Sequence, residues 1–254
     1  TTLFRSRIKS LLQTKASGVL DHTKRIDSGR LDIPVYMSLC GSKALEILPG
    51  RKQMGKGASP AQAEASALME LVERYSLFSF WEDNNRIFCA PWSIAEEMHK
   101  YELIPIEQIL YAVEDNISNN EARQILDLID WKFCPALDVN EKRFVYAPLD
   151  LFKRLNEFNG SSAGNSLEEA ILQGSCELME RHVSALIDRE RPRLATLDPN
   201  SFHDPVLNNL WDRFKKQGIK VWLKDFTLGT MIPTVGALAY DPSTLPGLSE
   251  IVFT

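Results

Sequence analysis

Residues 57–74 read GASPAQAEASALMELVER, and residues 164–181, which lie 107 positions later, read GNSLEEAILQGSCELMER. Aligned without gaps, these two segments are identical at seven of their eighteen positions. Each is a glycine turn followed by a helical pattern that ends in Glu-Leu-x-Glu-Arg, and core packing gives no reason for identity at the charged positions. The repeat therefore predicts two related acidic helices, which could gather four carboxylates around one cationic centre.

Both segments carry helix start signals. Ser59 is a typical N-cap, and Pro60 suits the first helical position, so we expect a helix over about 60–80. Asn165 or Ser166 caps the second predicted helix, which extends to about residue 189.

Helical residues three or four positions apart lie on the same face, and both helices have polar residues at that spacing. The stripe on the second helix consists of Asn165, Glu169, Gln173, Glu177 and Glu180. The shorter stripe on the first helix consists of Ser66, Glu70 and Glu73. Ile171 and Leu178 lie elsewhere on the second helix, and we expect them to pack.

Such glutamates are usually solvated or paired with a neighbouring arginine, here Arg74 and Arg181. These two stripes contain no lysine, include Ser, Asn and Gln, and occur twice. An unpaired buried carboxylate costs several kcal/mol, so stripes on largely apolar helices need cations or protons. Oxygen ligands without His or Cys suit Mg²⁺, which binds a few carboxylates together with phosphate oxygens. The pattern favours a metal-bound nucleotide triphosphate between two acidic helices.

The loops that lead into these helices agree with an anionic ligand. GKG at 55–57 and SSAG at 161–164 each precede a helix N-terminus, where backbone N–H groups can face a phosphate. Neither loop is a P-loop, and no GxGxxG motif follows a strand.

Composition limits the class of protein. With 254 residues, 44% hydrophobic and 25% charged, the chain has the composition of an ordinary soluble globular protein. Its net charge of -5 offers no general attraction to nucleic acid or to an anionic membrane. We find no signal peptide and no membrane-spanning apolar run, and we expect a cytoplasmic location.

The cysteines form no CxxC pair, which argues against a zinc site. We expect all of them to be reduced core residues. They are Cys40, Cys89, Cys134 and Cys176.

Predicted helices and strands alternate along the chain, which indicates an α/β fold (mixed α+β) in a single domain. Its two related halves cover about 30–150 and 151–254. Strands are predicted at 33–40, 144–148, 220–223 and 234–238, shorter helices at 3–13, within 91–110, at 121–129 and at 208–217, and loops at 50–57 and 158–164. The chain begins at Thr1 rather than Met and stops within a predicted strand at 251–254, so we expect a fragment of a longer protein.

These motifs, in this order, resemble the YcaO family. The stretch from Gly55 to Arg74 is similar to that family's first helix, and the stretch from Asn159 to Arg181 is similar to its second. Weaker similarity at 32–35 and 145–149 falls where the family has strands. The resemblance covers nearly the whole chain.

The resemblance implies a YcaO-like fold with two pseudo-repeated halves, in which mixed sheets pack against long helices that hold ATP and Mg²⁺. It implies an enzyme that phosphorylates a peptide amide oxygen before a nucleophile attacks the activated carbon. A neighbouring Cys, Ser or Thr gives an azoline by cyclodehydration, whereas an external sulfur source gives a thioamide. It also implies a peptide or protein substrate, a partner protein for substrate recognition or sulfur delivery, and a homodimer.

Carried over by position, the resemblance gives two sets of site residues and no catalytic residue. The expected Mg²⁺ ligands are Glu70, Glu73, Glu169, Glu177 and Glu180. The expected ATP-binding residues are Ser66, Asn165, Gln173 and Arg181.

The chain departs from the family pattern in three ways. His182 stands where many members have Asp. A basic phosphate-contacting segment before Thr1 and an Arg/Glu-bearing helix after Thr254 are missing, so we expect that this fragment could be inactive.

Two alternatives use the same residues. A di-metal carboxylate protein of the di-iron type also places glutamates on paired helices, but it normally needs Glu-x-x-His, and here Glu73 and Glu180 occupy the second position. A non-catalytic scaffold of the same fold would bind a peptide or a partner enzyme. The substrate itself, and the choice between cyclodehydration and thioamidation, cannot be read from the chain.

Overall fold

The structure is a computed structural model, and it describes residues 15, 17–83, 85–113, 116–243 and 252–253. The predicted helix at 3–13 lies outside the described residues. The chain divides into two compact units, one of Thr1–Tyr75 with Gly160–Thr254 and one of Ser76–Asn159. The single domain with halves at about 30–150 and 151–254 stays a prediction.

Helices and short strands alternate along the described chain. The strands are β1 (Leu20–Arg25), β2 (Val35–Cys40), β3 (Lys52–Lys56), β4 (Phe88–Ala90), β5 (Trp131–Asp138), β6 (Arg143–Pro148), β7 (Thr196–Leu197), β8 (Lys220–Asp225), β9 (Val235–Tyr240) and β10 (Val252–Phe253). The helices are α1 (Ser42–Ile47), α2 (Pro60–Trp81), α3 (Trp92–Met98), α4 (Ile106–Ala112), α5 (Asn119–Leu126), α6 (Leu149–Asn156), α7 (Leu167–Glu190) and α8 (Pro205–Lys216), with a short 3-10 helix at Pro199–Ser201.

The unit that contains both chain ends has two sheets, ordered β1-β2-β3 and β10-β9-β8-β7. The predicted strands at 33–40, 220–223 and 234–238 are confirmed as β2, β8 and β9. The predicted loop at 50–57 is wrong for most of its length, because β3 pairs with β2 from Lys56 opposite Val35 to Lys52 opposite Leu39. Its glycines made the segment look like a loop, but the pairing partner on β2 keeps it extended.

The unit of Ser76–Asn159 has one sheet, ordered β4-β5-β6, over a core that includes Trp92 and Phe133. The predicted helices within 91–110 and at 121–129 are confirmed as α3, α4 and α5. Helix α5 begins earlier than expected because Ser118 and Glu121 form a capping box. The predicted strand at 144–148 is β6, whereas β5 is not among the predicted strands.

The fold class is confirmed as mixed helices and small sheets, and every pairing between described strands is antiparallel. Within the described residues, no helix is long and apolar enough to cross a membrane. All four cysteines are free. Cys40 and Cys134 are buried as expected, but Cys89 and Cys176 are exposed, so the core prediction is wrong for these two.

The two repeated segments begin in the same way. The Ser59 hydroxyl accepts a hydrogen bond from Gln62 N (3.3 Å), and the Ser166 hydroxyl accepts one from Glu169 N at the equivalent position (3.2 Å). A Cβ at Gly57 would lie 2.7 Å from Ala63 N, and a Cβ at Gly164 would lie 2.5 Å from Ala170 N. Both helices therefore begin with a serine cap, and in both the first turn packs against a glycine that has no room for a side chain.

Each repeat has a second glycine that lies directly against a neighbouring backbone. This glycine is on the strand before the helix in the first repeat and on the helix itself in the second. In the first repeat Gly55 of β3 packs on α2, and a Cβ there would lie 2.0 Å from Ala67 N. In the second repeat the glycine is on the helix, where a Cβ at Gly174 would lie 2.6 Å from the carbonyl oxygen of Gly160. The segment before each helix is thus fixed directly against the helix backbone.

We predict that Gly55→Ala destabilises the protein by about 2 kcal/mol or more, since the new methyl group would overlap the α2 backbone. Gly29→Ala is the matched control, because a Cβ there meets no atom within 4 Å. We expect its free energy of unfolding to stay within about 0.5 kcal/mol of the parent value. Urea denaturation followed by circular dichroism measures both, and equal stability of the two variants would contradict the close packing.

Candidate functional site

The first polar stripe places Glu73 on a partly covered surface. Its side chain is 16% exposed, and its Oε1 atom accepts a hydrogen bond from Ser161 Oγ (2.9 Å). Arg74 Nη1 lies 3.2 Å from the same Oε1 and also donates to Ser161 Oγ (3.1 Å). Because Ser161 belongs to the loop before α7, this loop is tied to α2 through Glu73 and Arg74.

The pKa of Glu73 shows that the two stripes act on one another. Burial raises this pKa most strongly, and the negative charges of Glu177 on α7 and Glu70 on α2 raise it further. The hydrogen bond from Ser161 and the charge of Arg74 lower the pKa but do not offset these effects. Glu73 therefore lies near enough to Glu70 and Glu177 to sense their charges, so carboxylates of both helices face the same partly buried region.

Glu177 and Glu180 lie on the next turns of the second stripe. Glu177 is 22% exposed and accepts a hydrogen bond from Gly160 N (3.3 Å). Arg181 approaches Glu177 at 3.7 Å and Glu180 at 3.9 Å, and more than half of the Arg181 side chain is exposed. Pairing with a neighbouring arginine is the usual arrangement of such glutamates. Long ion pairs with an exposed arginine add little to stability, so these pairs leave the carboxylates available to a cation.

The rest of the second stripe lies nearer the N-terminus of α7. Both the backbone N and the Nδ2 atom of Asn165 donate to the Glu169 carboxylate (2.9 and 3.0 Å). Ser66 on α2 and Gln173 on α7 are exposed. In the part of the chain that the structure describes, no hydrogen bond joins these four residues to Glu73.

Helix α7 is more exposed than expected. Ile171 is 59% exposed, so the prediction that it packs is wrong within the described residues. Leu178 is 52% exposed, although one side of it lies against Gly160 of the preceding loop. The buried positions of α7 are Gly174, which also meets Gly160, and Val183.

Two contributors to the site were not predicted from the sequence. Ser161 and Gly160 hold Glu73 and Glu177, but nothing in a small-residue loop indicates which serine or amide will do so. Glu64 on α2 is a further buried acid, but it accepts a hydrogen bond from Thr23 Oγ1 (2.7 Å) and lies off the stripe.

Among the described side chains, no group of three or more His, Cys, Asp or Glu is arranged to hold a metal ion by itself. Mg²⁺ usually keeps several waters and takes substrate phosphate oxygens as ligands, so it needs few carboxylates. The partly buried, mutually repelling glutamates fit an ion of that kind.

A cavity of about 320 Å³ adjoins the end of the second stripe. Glu180 and Cys176 of α7 form part of its wall, and Phe226 and Ile232 lie on the other side. There is thus room for a ligand beside Glu180, which is the stripe glutamate that lines this cavity.

Comparison with known proteins agrees with this geometry. Residues 54–252 match the family model described as YcaO cyclodehydratase, ATP- and Mg²⁺-binding. An uncharacterised protein of Methanothermobacter thermautotrophicus is 30% identical over 231 residues, which are 88% of this chain and 56% of that protein. The chain therefore spans about half the length of this curated relative.

Two solved structures share the fold. A heterocyclase in complex with substrate and cofactor matches with a TM-score of 0.71 and 23% identity over 97% of this chain and 37% of that one. The YcaO protein of Methanopyrus kandleri, bound with AMPPCP and Mg²⁺, matches with a TM-score of 0.58 and 18% identity over 97% of this chain and 61% of that one. Since the family model covers more than half of the residues, the chain belongs to the YcaO family.

Proposed function

We propose that this chain binds ATP with Mg²⁺ at the facing stripes of α2 and α7 and belongs to an enzyme that activates a peptide backbone amide. The observation that carries the proposal is that adjacent residues of one loop hold a carboxylate from each helix, Ser161 holding Glu73 and Gly160 holding Glu177, and that both carboxylates are mostly covered. The raised pKa of Glu73 agrees with this arrangement. A partly buried group of like charges is the arrangement that a bound cation would relieve. The family match and the AMPPCP and Mg²⁺ in the Methanopyrus kandleri structure support the same ligand.

The proposed roles follow the position of each side chain. Glu70, Glu73 and Glu177 would hold Mg²⁺ in the partly buried region, and Glu180 and Glu169 would extend the ligand set along α7. Ser161 and Arg74 position the Glu73 carboxylate through the contacts described above. Ser66, Asn165, Gln173 and Arg181 are proposed to contact the nucleotide, since exposed hydroxyl, amide and guanidinium groups along the two polar stripes can reach its phosphates and sugar.

Bound ATP would supply the phosphoryl group that activates the amide oxygen. The residues of this chain would then act by position and charge. The glutamates orient the ions, and Arg181 offsets phosphate charge that carboxylates alone would repel. The activated carbon is attacked by a side-chain nucleophile in azoline formation or by external sulfur in thioamidation, and the phosphate leaves.

We also propose a substrate, a partner protein, an oligomeric state and a location for the enzyme. A peptide or protein is the substrate, and a partner protein supplies its recognition or the sulfur, which decides between azoline and thioamide. The enzyme is a cytoplasmic homodimer. The heterocyclase that shares the fold is described as a complex with substrate, which supports a peptide substrate here.

We predict that ATP binds only when Mg²⁺ is present and that Glu70→Gln and Glu177→Gln each weaken this binding by about tenfold or more. This loss corresponds to about 1.4 kcal/mol or more of binding free energy. Each substitution keeps the shape of the side chain but removes a charged oxygen ligand. Glu190→Gln, at the exposed end of α7, is the matched control and should bind like the parent chain. Isothermal titration calorimetry measures the dissociation constants. Absence of magnesium-dependent ATP binding by the full-length protein would refute the proposal.

We also predict that Glu73→Gln raises the stability of the ligand-free protein at pH 7.5. The pKa of Glu73 is raised in the folded state, so between its ordinary value and the folded value the folded protein binds more protons than the unfolded chain. The contribution of Glu73 to the free energy of unfolding is therefore lost as the pH rises through that interval. An uncharged Gln side chain avoids the electrostatic cost of a covered carboxylate at this position.

Thermal unfolding of Glu73→Gln and of the parent protein, followed by circular dichroism, tests this expectation. The variant should have the higher midpoint at pH 7.5, and the difference should shrink towards pH 4.5 because Glu73 then becomes protonated. Addition of ATP and Mg²⁺ should stabilise the parent more than the variant. A lower midpoint of Glu73→Gln at pH 7.5 would show that Arg74 and Ser161 already balance the charge.

A further inference from the structure

A groove separate from the carboxylates lies between the end of α8 and the start of β8. It has a volume of about 380 Å³, and it shares no lining residue with the proposed nucleotide site. Its walls are formed by Trp211, Phe214, Lys215, Gly218, Ile219, Lys220, Val221 and Trp222.

One wall of the groove is an open strand edge. Strand β7 pairs with β8 only through Thr196 opposite Lys224 and Leu197 opposite Leu223, after which the chain enters the 3-10 helix at Pro199–Ser201. Within the described residues, the segment of β8 from Lys220 to Trp222 therefore has β9 on one side and no strand on the other. An edge of this kind can take up an extended peptide as an added strand.

The groove has aromatic anchoring points. Trp211 and Phe214 are half-buried, and Trp222 is 37% exposed although it belongs to a paired strand. Tryptophan and other aromatic side chains in partly formed pockets commonly dominate the affinity for a peptide. The side chains thus favour an apolar residue of the ligand between the two tryptophans.

The charge around the groove selects the kind of peptide. Residues 212–225 contain five basic and two acidic residues, whereas the whole chain has a net charge of -5. Lys215, Lys216 and Lys220 are exposed, and in the described part of the chain none of them forms an ion pair. Asp225 accepts a hydrogen bond from Thr227 N of its own loop (2.9 Å) and so is directed to that loop. The groove therefore favours an acidic partner.

We propose that this groove binds an acidic, extended segment of the peptide substrate, which adds as a strand beside Lys220–Trp222 and places an apolar side chain against Trp211 and Trp222. Within this proposal, only the statement that the bound peptide is the substrate of the enzyme rests on the proposed function. A second copy of the chain is a poorer occupant, because pairing of two β8 edges would bring the lysines of both copies together.

Selection from a phage-displayed library of random ten-residue peptides tests the proposal. We expect enrichment of peptides that combine Asp or Glu with a large apolar residue. The dissociation constant of a fluorescein-labelled selected peptide should rise about tenfold in Trp222→Ala. It should rise similarly in the double variant Lys215→Glu/Lys220→Glu, which removes the charge complementarity, and with it the approach of Lys215 Nζ to the Trp211 ring (5.9 Å), but leaves both tryptophans in place. Lys43→Glu, an exposed lysine on α1, is the matched control and should bind as the parent does.

Two further measurements separate the outcomes. Amide hydrogen exchange at residues 219–222 should slow when the selected peptide is bound, and unchanged exchange would overturn strand addition. The dissociation constant for Mg-ATP, measured by calorimetry, should be the same for Trp222→Ala and for the parent. If neither protein binds Mg-ATP, the proposed function is refuted but peptide binding in the groove is not. Peptides without acidic enrichment, or binding to Trp222→Ala and to the double variant that is as tight as binding to the parent, would overturn the proposal. A parent dimer that dissociates in Trp222→Ala by light scattering would do the same, because it would place a second copy in the groove.

Discussion

The burial of Glu73 beside other carboxylates of α2 and α7 is the constraint on which the proposed site depends. Glu73 is mostly covered, and its pKa is raised by burial first and by the charges of Glu177 and Glu70 in addition. A folded chain tolerates this cost where other interactions fix the helices, and such groups cluster at functional sites. In this protein Ser161 and Arg74 offset the repulsion in part, and a cation would offset the remainder.

The helices that hold these charges are fixed by close backbone packing at their N-termini. Gly57 and Gly164 occupy equivalent positions against Ala63 and Ala170, and Ser59 and Ser166 cap equivalent turns. The identity of the repeat therefore has two separate causes. The glycines and serines are required by packing and capping, whereas Glu73 and Glu177 hold the loop before α7 and are the proposed ligands of a cation.

The two copies have diverged where their surroundings differ. Arg74 is 20% exposed and bonded to the loop before α7, whereas its equivalent Arg181 is 55% exposed. The same residue type thus contacts a loop in one copy and is mostly exposed in the other. The groove beside β8 lies outside both repeated segments.

The sequence by itself determined the mixed fold class, the two long helices with their caps, most of the shorter elements and the identity of the acidic stripes. Helical periodicity and capping act over a few residues, so a sequence pattern is enough to reveal them. Only the tertiary structure decided that Lys52–Lys56 is a strand, that Ile171 and Leu178 remain exposed and that Ser161 holds Glu73. Each of these depends on a partner distant along the chain, such as β2 for the strand or Gly160 against Gly174 for the loop, and local sequence carries no information about such a partner.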